Sequence, residues 1–156
     1  MTADGRIHCS VAPEKVPSAS LLYSVNDVFN AVSVHGNMAD SVMFYGRGAG
    51  SHATASAVVA DVIEAALNRD RNVYAGWTGE KQALEDAGSF RCAFLVRVSG
   101  GDDAVPALSK LFGGGAPVAL RYAKNEIGFV TPVMTEAEFE EKAAAAEGFI
   151  SRIRIK

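Results

Sequence analysis

The chain has 156 residues, of which 49% are hydrophobic and 21% are charged, a balance typical of a globular protein with a buried core. This length accommodates one ordinary domain or two small ones, which excludes a complete enzyme with separate nucleotide, substrate and regulatory domains. The net charge is -3, and no basic stripe is present to neutralise phosphates, so nucleic acid and acidic membranes are poor partners.

We expect neither a membrane span nor a signal peptide. Charged residues interrupt every apolar run before the roughly 20 residues that a span needs, and no apolar region follows residues 1–6. We therefore expect a cytoplasmic protein. Cys9 and Cys92 lie far apart without metal-ligand spacing, so we expect buried free thiols and no metal site.

The first part of the chain predicts a β-hairpin followed by a helix. Residues 28–45 have strand composition on both sides of a turn at residues 35–38. A glycine-rich stretch, residues 46–50, follows, and Thr54 is the predicted N-cap of a helix that ends at Asn68. One apolar face of this helix is formed by Val58, Val59, Val62, Ile63, Ala66 and Leu67.

The second part predicts a small α+β domain. Residues 69–89 lack a sustained apolar face and are predicted to form a linker. Residues 90–156 follow the order β-α-β-β-α-β, which is the signature of a ferredoxin-like sandwich with both helices on one face of an antiparallel sheet. Its strands are predicted at residues 90–98, 118–122, 127–131 and 149–155, and its helices are capped by Asp103 and Thr135.

The glycine-rich stretch and the three histidines are the candidate functional residues of the first part of the chain. The glycines of residues 46–50 can present backbone N–H groups to an anion at a strand-to-helix junction, but a purely structural turn stays open, because neither the dinucleotide fingerprint nor a Walker loop is present. His8, His35 and His52 have no partner at ligand or triad spacing, so we expect them at the surface or in turns.

Two charged groups near the C-terminus are expected to face solvent. The first is an acidic helix start, formed by Glu136, Glu138, Glu140 and Glu141. The second alternates with Ile153 and Ile155 along the last strand and consists of Arg152, Arg154 and Lys156. An anion site at the second group is the alternative.

Residues 28–32, the turn at Gly36 and Asn37, and residues 42–61 (VMFYGRGAGSHATASAVVAD) closely resemble homoserine dehydrogenase near its C-terminal end. The resemblance covers roughly residues 15–68, and the segment after it stands where many bacterial members carry an ACT regulatory domain. It therefore implies a C-terminal fragment. In this interpretation residues 1–68 end the catalytic region, residues 69–89 are the linker, and residues 90–156 form an ACT-like domain.

The resemblance implies that the parent enzyme reduces aspartate semialdehyde to homoserine with NAD(P)H, in the branch leading to threonine and methionine. In that family the glycine-rich turn approaches the cofactor, which makes Gly50 the first cofactor-contact candidate and Gly48 and Ala49 weaker ones. The nucleotide domain and the residues that move the proton lie upstream in the family. No catalytic residue is therefore expected in this chain, which should be inactive alone and should not bind NAD(P) tightly.

The ACT-like segment departs from the family pattern at the loop after its first strand. ACT domains commonly have an Asp-x-Pro-Gly turn there, whereas residues 100–105 contain no Pro-Gly. If threonine binds as an effector, its ammonium would meet Asp102 or Asp103, and its carboxylate the free N–H groups of Gly100 and Gly101. The alternative is a pairing module that holds no ligand.

Two interpretations of the whole chain follow. In the first, the excised hairpin and helix expose apolar surface that finds a partner, so a homo-oligomer is expected. In the second, residues 90–156 form a free-standing ACT-like small-molecule-binding or dimerisation module, and residues 1–68 are only a dimerisation arm.

Overall fold

In a computed structural model, which describes residues 6–71, 76 and 78–155, the chain forms two compact units. We call them the hairpin unit, Val16–Glu80, and the sheet unit, Met1–Lys15 with Lys81–Lys156. None of the helices in the described residues is long and apolar enough to cross a membrane. In chain order the elements are β1 (Glu14–Lys15), β2 (Phe29–Gly36), β3 (Asp40–Arg47), α1 (Ser51–Leu67), β4 (Arg91–Ser99), α2 (Val105–Phe112), β5 (Ala116–Val118), β6 (Glu126–Val130), β7 (Met134–Thr135), α3 (Glu136–Ala144) and β8 (Phe149–Ile155).

The hairpin unit contains the predicted hairpin and the predicted helix. Strands β2 and β3 pair antiparallel over their whole length. Helix α1 ends as predicted, because the backbone N–H and the side-chain amide of Asn68 both donate to the Glu64 carbonyl, at 3.0 and 2.9 Å. The predicted N-cap is wrong. The N–H of Thr54 already donates to the Gly50 carbonyl at 3.1 Å, so the helix begins one turn earlier.

The apolar side chains of the hairpin unit are not covered. No described residue between 16 and 80 is buried. Cross-strand pairing places four apolar side chains on one hairpin face, each between 43% and 66% exposed: Val32, Val34, Val42 and Phe44. The predicted apolar face of α1 is also open, with Ile63 54% and Leu67 79% exposed. Such contiguous exposed apolar surface usually marks an interface.

The sheet unit contains a sheet with the strand order β1-β8-β4-β6-β5, and β7 pairs with the start of β4. The four strands that the sequence predicts for this unit correspond to β4, β5, β6 and β8. In the sheet, β8 lies beside β4, β6 lies on the other side of β4, and β5 follows β6. All of these neighbours are antiparallel. The first predicted strand of the unit is therefore central and contributes most to its core.

Residues 6–15 belong to the sheet unit, which differs from the predicted division at residue 68. Strand β1 is parallel to β8, and Ile7 forms a parallel bridge with Leu84. The predicted linker is likewise partly in this unit, because residues 81–89 belong to it and Ala87–Ser89 form a 3-10 turn. Its residues 72–75 and 77 lie outside the described residues.

Both helices, α2 and α3, pack on one face of the sheet, and the core of the unit lies between them and the sheet. Strand β4 alternates, so that every second side chain is buried against the helices. The rings of Phe94 and Phe139 stack with centroids 4.0 Å apart, and Phe112 stacks on Phe139 at 5.8 Å. The buried apolar residues are Cys92, Phe94, Val96, Val98, Leu108, Phe112, Ile127, Phe129, Met134, Phe139 and Ala143.

A side-chain cap marks the start of α3 but not that of α2. Thr135 caps α3 as predicted: its hydroxyl accepts from the Glu138 N–H at 3.1 Å, and the Glu138 carboxylate accepts from the Thr135 N–H at 2.8 Å. These hydrogen bonds lower the pKa of Glu138. The predicted cap Asp103 is wrong, because residues Asp102–Ala104 form a 3-10 turn and Ala104 precedes α2.

Three other expectations are corrected by burial and pairing. The predicted strand 118–122 lies earlier, at β5, where Ala116 pairs with Val130, and Tyr122 is exposed. Cys92 is buried as predicted, and burial raises the pKa of its thiol, but Cys9 is exposed. The arginines of β8 do not face away from the helices, since Arg152 pairs with the buried Val96 and shares its face of the sheet.

Candidate functional site

The glycine-rich turn lies between β3 and α1, with Gly50 as the residue that starts the helix. Gly50 has φ 110° and ψ 150°, a conformation that only glycine adopts readily. A Cβ placed on it would meet nothing within 4 Å, so the backbone is open to an approaching group. The first-turn amides of a helix lack intrahelical partners, and the first turn of α1 carries no acidic residue. This end of α1 therefore suits a negatively charged group.

The other two cofactor candidates have different surroundings. A Cβ on Gly48 would collide with the Asn30 side chain of the neighbouring strand, so packing inside the hairpin is sufficient to explain this glycine. Ala49 is exposed. Of the three candidates, only Gly50 combines open space with a backbone conformation that needs glycine.

The predicted effector loop, between β4 and α2, borders a cleft of about 990 Å³. Gly100 and Asp103 line the cleft, together with Lys110, Glu147 and the apolar Leu111. Gly101 and Asp102 are not among the lining residues. Of the two glycines and two aspartates predicted to bind an effector, only Gly100 and Asp103 therefore lie at the cleft.

The backbone donors of this loop are partly used. The Gly100 N–H donates to the Asn125 carbonyl at 2.9 Å, so it is not the free donor that the sequence interpretation assumed. Gly101 accepts from the Ala104 N–H at 3.0 Å through its carbonyl. A carboxylate at this cleft would therefore rely on Lys110 rather than on the Gly100 amide.

An ion cluster at the start of α3 was missed by the sequence analysis. Glu136 is only 8% exposed, not solvated as expected, and it accepts a hydrogen bond from Nε of Arg154. Arg152 Nη1 lies 3.1 Å from the Glu136 carboxylate, and its Nη2 lies 2.6 Å from Glu140. The hydrogen bond with Glu136 raises the pKa of Arg154. Strand and helix patterns do not reveal this cluster, because the partners are distant in sequence.

Comparisons with known proteins connect the glycine turn to a family. Residues 1–63 match the family model of homoserine dehydrogenase. The homoserine dehydrogenase of Helicobacter pylori is 33% identical over 97 residues, which are 62% of this chain and 23% of that protein. The homoserine dehydrogenase of Mycobacterium bovis is 48% identical over 64 residues, which are 41% of this chain and 14% of that protein. The chain thus spans less than a quarter of these curated relatives.

Solved structures show the same fold. A crystal structure of a homoserine dehydrogenase from Thiobacillus denitrificans has a TM-score of 0.75 at 23% identity, covering 99% of this chain and 40% of that chain. The S. aureus homoserine dehydrogenase at pH 7.0 has a TM-score of 0.57 at 23% identity, covering 88% of this chain and 35% of that chain. At this identity the likeness concerns the fold alone.

These findings show that the first part of the chain is similar to homoserine dehydrogenases. Residues 1–63, which contain the hairpin, the glycine turn and most of α1, match the family model of homoserine dehydrogenase. The resemblance noted in the sequence is therefore confirmed over this part of the chain.

Proposed function

We propose that the chain is the C-terminal portion of an NAD(P)-dependent homoserine dehydrogenase, which reduces aspartate semialdehyde to homoserine in threonine and methionine biosynthesis. The family match of residues 1–63 carries this proposal. The chain alone is inactive in this account, because the family's nucleotide domain and proton-transfer residues lie upstream of the matched segment. Its own contributions are a wall of the cofactor site, oligomerisation and amino-acid sensing.

The residues at the glycine turn fit a dinucleotide cofactor. Gly50 leaves space for close approach, and the start of α1 favours a phosphate or carboxamide oxygen through its free amides. When bound in the intact enzyme, NAD(P)H supplies the hydride. Gly50 is the primary contact, and Gly48 and Ala49 support the shape of the turn. One turn and one helix end are too little for tight binding, so the chain by itself does not retain the cofactor.

Oligomerisation is proposed from the open apolar faces of the hairpin unit. The hairpin face, formed by Val32, Val34, Val42 and Phe44, would be covered in a complete subunit or by a second copy of this chain. Because burial of apolar surface stabilises by about 25 cal/mol per Å², leaving this face in water is unfavourable. We therefore expect the isolated chain to form homo-oligomers.

Charge placed on the hairpin face should weaken this association. Phe44→Glu puts a carboxylate at a position that is 66% exposed and should weaken self-association at least about tenfold, since burying an unpaired charge is costly. Tyr122→Glu, at a 91% exposed position of the sheet unit, is the matched control and should change nothing. Sedimentation velocity at several concentrations measures both. A monomeric unmodified chain at micromolar concentration would contradict the proposal.

For residues 90–156 we propose a ferredoxin-like, ACT-like regulatory domain. The antiparallel strand order and the shared face of α2 and α3 support it. A free-standing ACT-like binding or dimerisation module is the second candidate, favoured by the cleft of about 990 Å³ at Gly100 and Asp103. In either case threonine is the proposed effector, with its ammonium on Asp103 and its carboxylate near Lys110.

Calorimetric titration with L-threonine separates a sensor from a pairing domain. We expect saturable binding at one ligand per chain, and none with L-lysine or L-methionine. Asp103→Ala should weaken binding about tenfold or more, because it removes a charge-assisted hydrogen bond. Asp102→Ala is the matched control, since Asp102 does not line the cleft. If the folded chain does not bind threonine, residues 90–156 would act as a pairing module that holds no ligand.

A further inference from the structure

A second, smaller cleft lies in the sheet unit beside the start of α3 and has a volume of about 310 Å³. This is at the lower end of the range typical of small-molecule sites, roughly 300–1,000 Å³. Ala87 and Gly88 form a part of the wall with little side-chain bulk. The larger side chains that line the cleft are His8, Phe90, Glu136, Glu140, Arg152 and Arg154.

Three nitrogen atoms in this cleft are buried without a hydrogen-bond partner among the described residues. Two are the ring nitrogens of His8, and the third is Nη1 of Arg152. The His8 ring is not at the surface as expected from the sequence: it stacks on Phe90 with centroids 4.3 Å apart and an angle of 15°. Arg152 Nη1 lies 3.1 Å from Glu136 but makes no hydrogen bond. Buried polar groups nearly always have partners, so these nitrogens, the two of His8 above all, are open to a hydrogen-bonding group from outside the chain.

The chemistry of these atoms favours a carboxylate. A guanidinium nitrogen and an imidazole N–H are donors, and arginine holds carboxylates especially well. Glu136 is paired with Arg152 and Arg154, and Glu140, which is 64% exposed, is paired with Nη2 of Arg152 at 2.6 Å. Phe90 and Ala87 are among the residues that line the cleft and supply an apolar part of its wall, which suits a ligand with a short apolar body.

We propose that this cleft binds a small carboxylate compound, with its carboxylate on Arg152 Nη1 and His8. A simple organic acid and a free amino acid share this group. For an amino acid, the exposed carboxylate of Glu140 would contact the ammonium in addition to its pair with Nη2 of Arg152. This inference is independent of the homoserine dehydrogenase proposal, because it depends only on residues of the sheet unit.

Nuclear magnetic resonance titration of the full ¹⁵N-labelled chain tests the proposal. Sodium acetate, glycine and methylammonium chloride are the probes, with sodium chloride at matched ionic strength as the reference. We expect saturable shifts of the Gly88 and Arg152 signals with acetate and glycine, and none with methylammonium. Tighter binding of glycine than of acetate would assign an amino acid, and the reverse an organic acid. Shifts that do not saturate, or that chloride reproduces, would overturn the proposal.

Variants of His8 separate ligand binding from packing. His8→Phe keeps a ring on Phe90 but removes both nitrogens, and should weaken acetate binding about tenfold or more. His8→Gln keeps a donor and an acceptor and should retain much of the affinity. His52→Phe, at an exposed histidine of the hairpin unit, is the control and should bind like the unmodified chain. Unchanged acetate affinity in folded His8→Phe would contradict the assignment.

Discussion

Replacing Phe139 with alanine is expected to lower the free energy of unfolding of the sheet unit by about 3–5 kcal/mol. The ring is fully buried and stacks on Phe94 and Phe112, so its removal takes away apolar burial and leaves a cavity between α3 and β4. Domains are stable by only about 5–15 kcal/mol, so this loss is a large share. Urea unfolding followed by far-ultraviolet circular dichroism measures it.

Tyr122→Ala is the matched control for this measurement. Tyr122 is 91% exposed, and surface substitutions usually change stability by less than about 0.5 kcal/mol. An unfolding midpoint for Phe139→Ala equal to that of the unmodified chain would show that the aromatic cluster is not the core of the unit.

Glu136→Ala is expected to destabilise the sheet unit by about 3 kcal/mol, at the lower end of the loss for breaking a buried ion pair. The carboxylate is buried, and its removal leaves Arg154 without its partner in a site where the arginine side chain is only 19% exposed. Arg152 keeps its contact with Glu140 at 2.6 Å, which limits the loss. The same urea experiment gives the change in free energy.

Glu140→Ala provides the comparison within the same cluster. Glu140 is 64% exposed, and exposed ion pairs contribute only about 0–1 kcal/mol, so this variant should unfold close to the unmodified chain. Equal losses for Glu136→Ala and Glu140→Ala would mean that burial of Glu136 does not determine the stability of the cluster.

Local patterns in the sequence predicted most of the elements. Alternation placed the hairpin and β4, because strand side chains point to opposite faces with a period of two. The Thr135 and Glu138 pair placed the start of α3, since a capping box needs only residues three apart. The glycine turn was found for a similar reason, as its conformational signal is confined to a few consecutive residues.

Features that depend on distant residues were missed. Strand β1 has only two residues and acquires its identity from pairing with β8. Alternation in β8 separates the arginines from Ile153 and Ile155, but it does not say which set faces the helices, and the ion pairs with Glu136 decide this. His8 carries no local signal at all, since its surroundings come from Phe90 and the start of α3.

Complementation tests the central claim most directly. The chain would be coexpressed with a Mycobacterium bovis homoserine dehydrogenase that lacks its matching C-terminal part, and NADPH oxidation by aspartate semialdehyde would be measured. We predict activity from the pair, none from either piece alone, and loss of activity when this chain carries Gly50→Val, because a branched side chain would fill the open space at the turn. Turnover by this chain alone, or a pair that copurifies but stays inactive, would contradict the account.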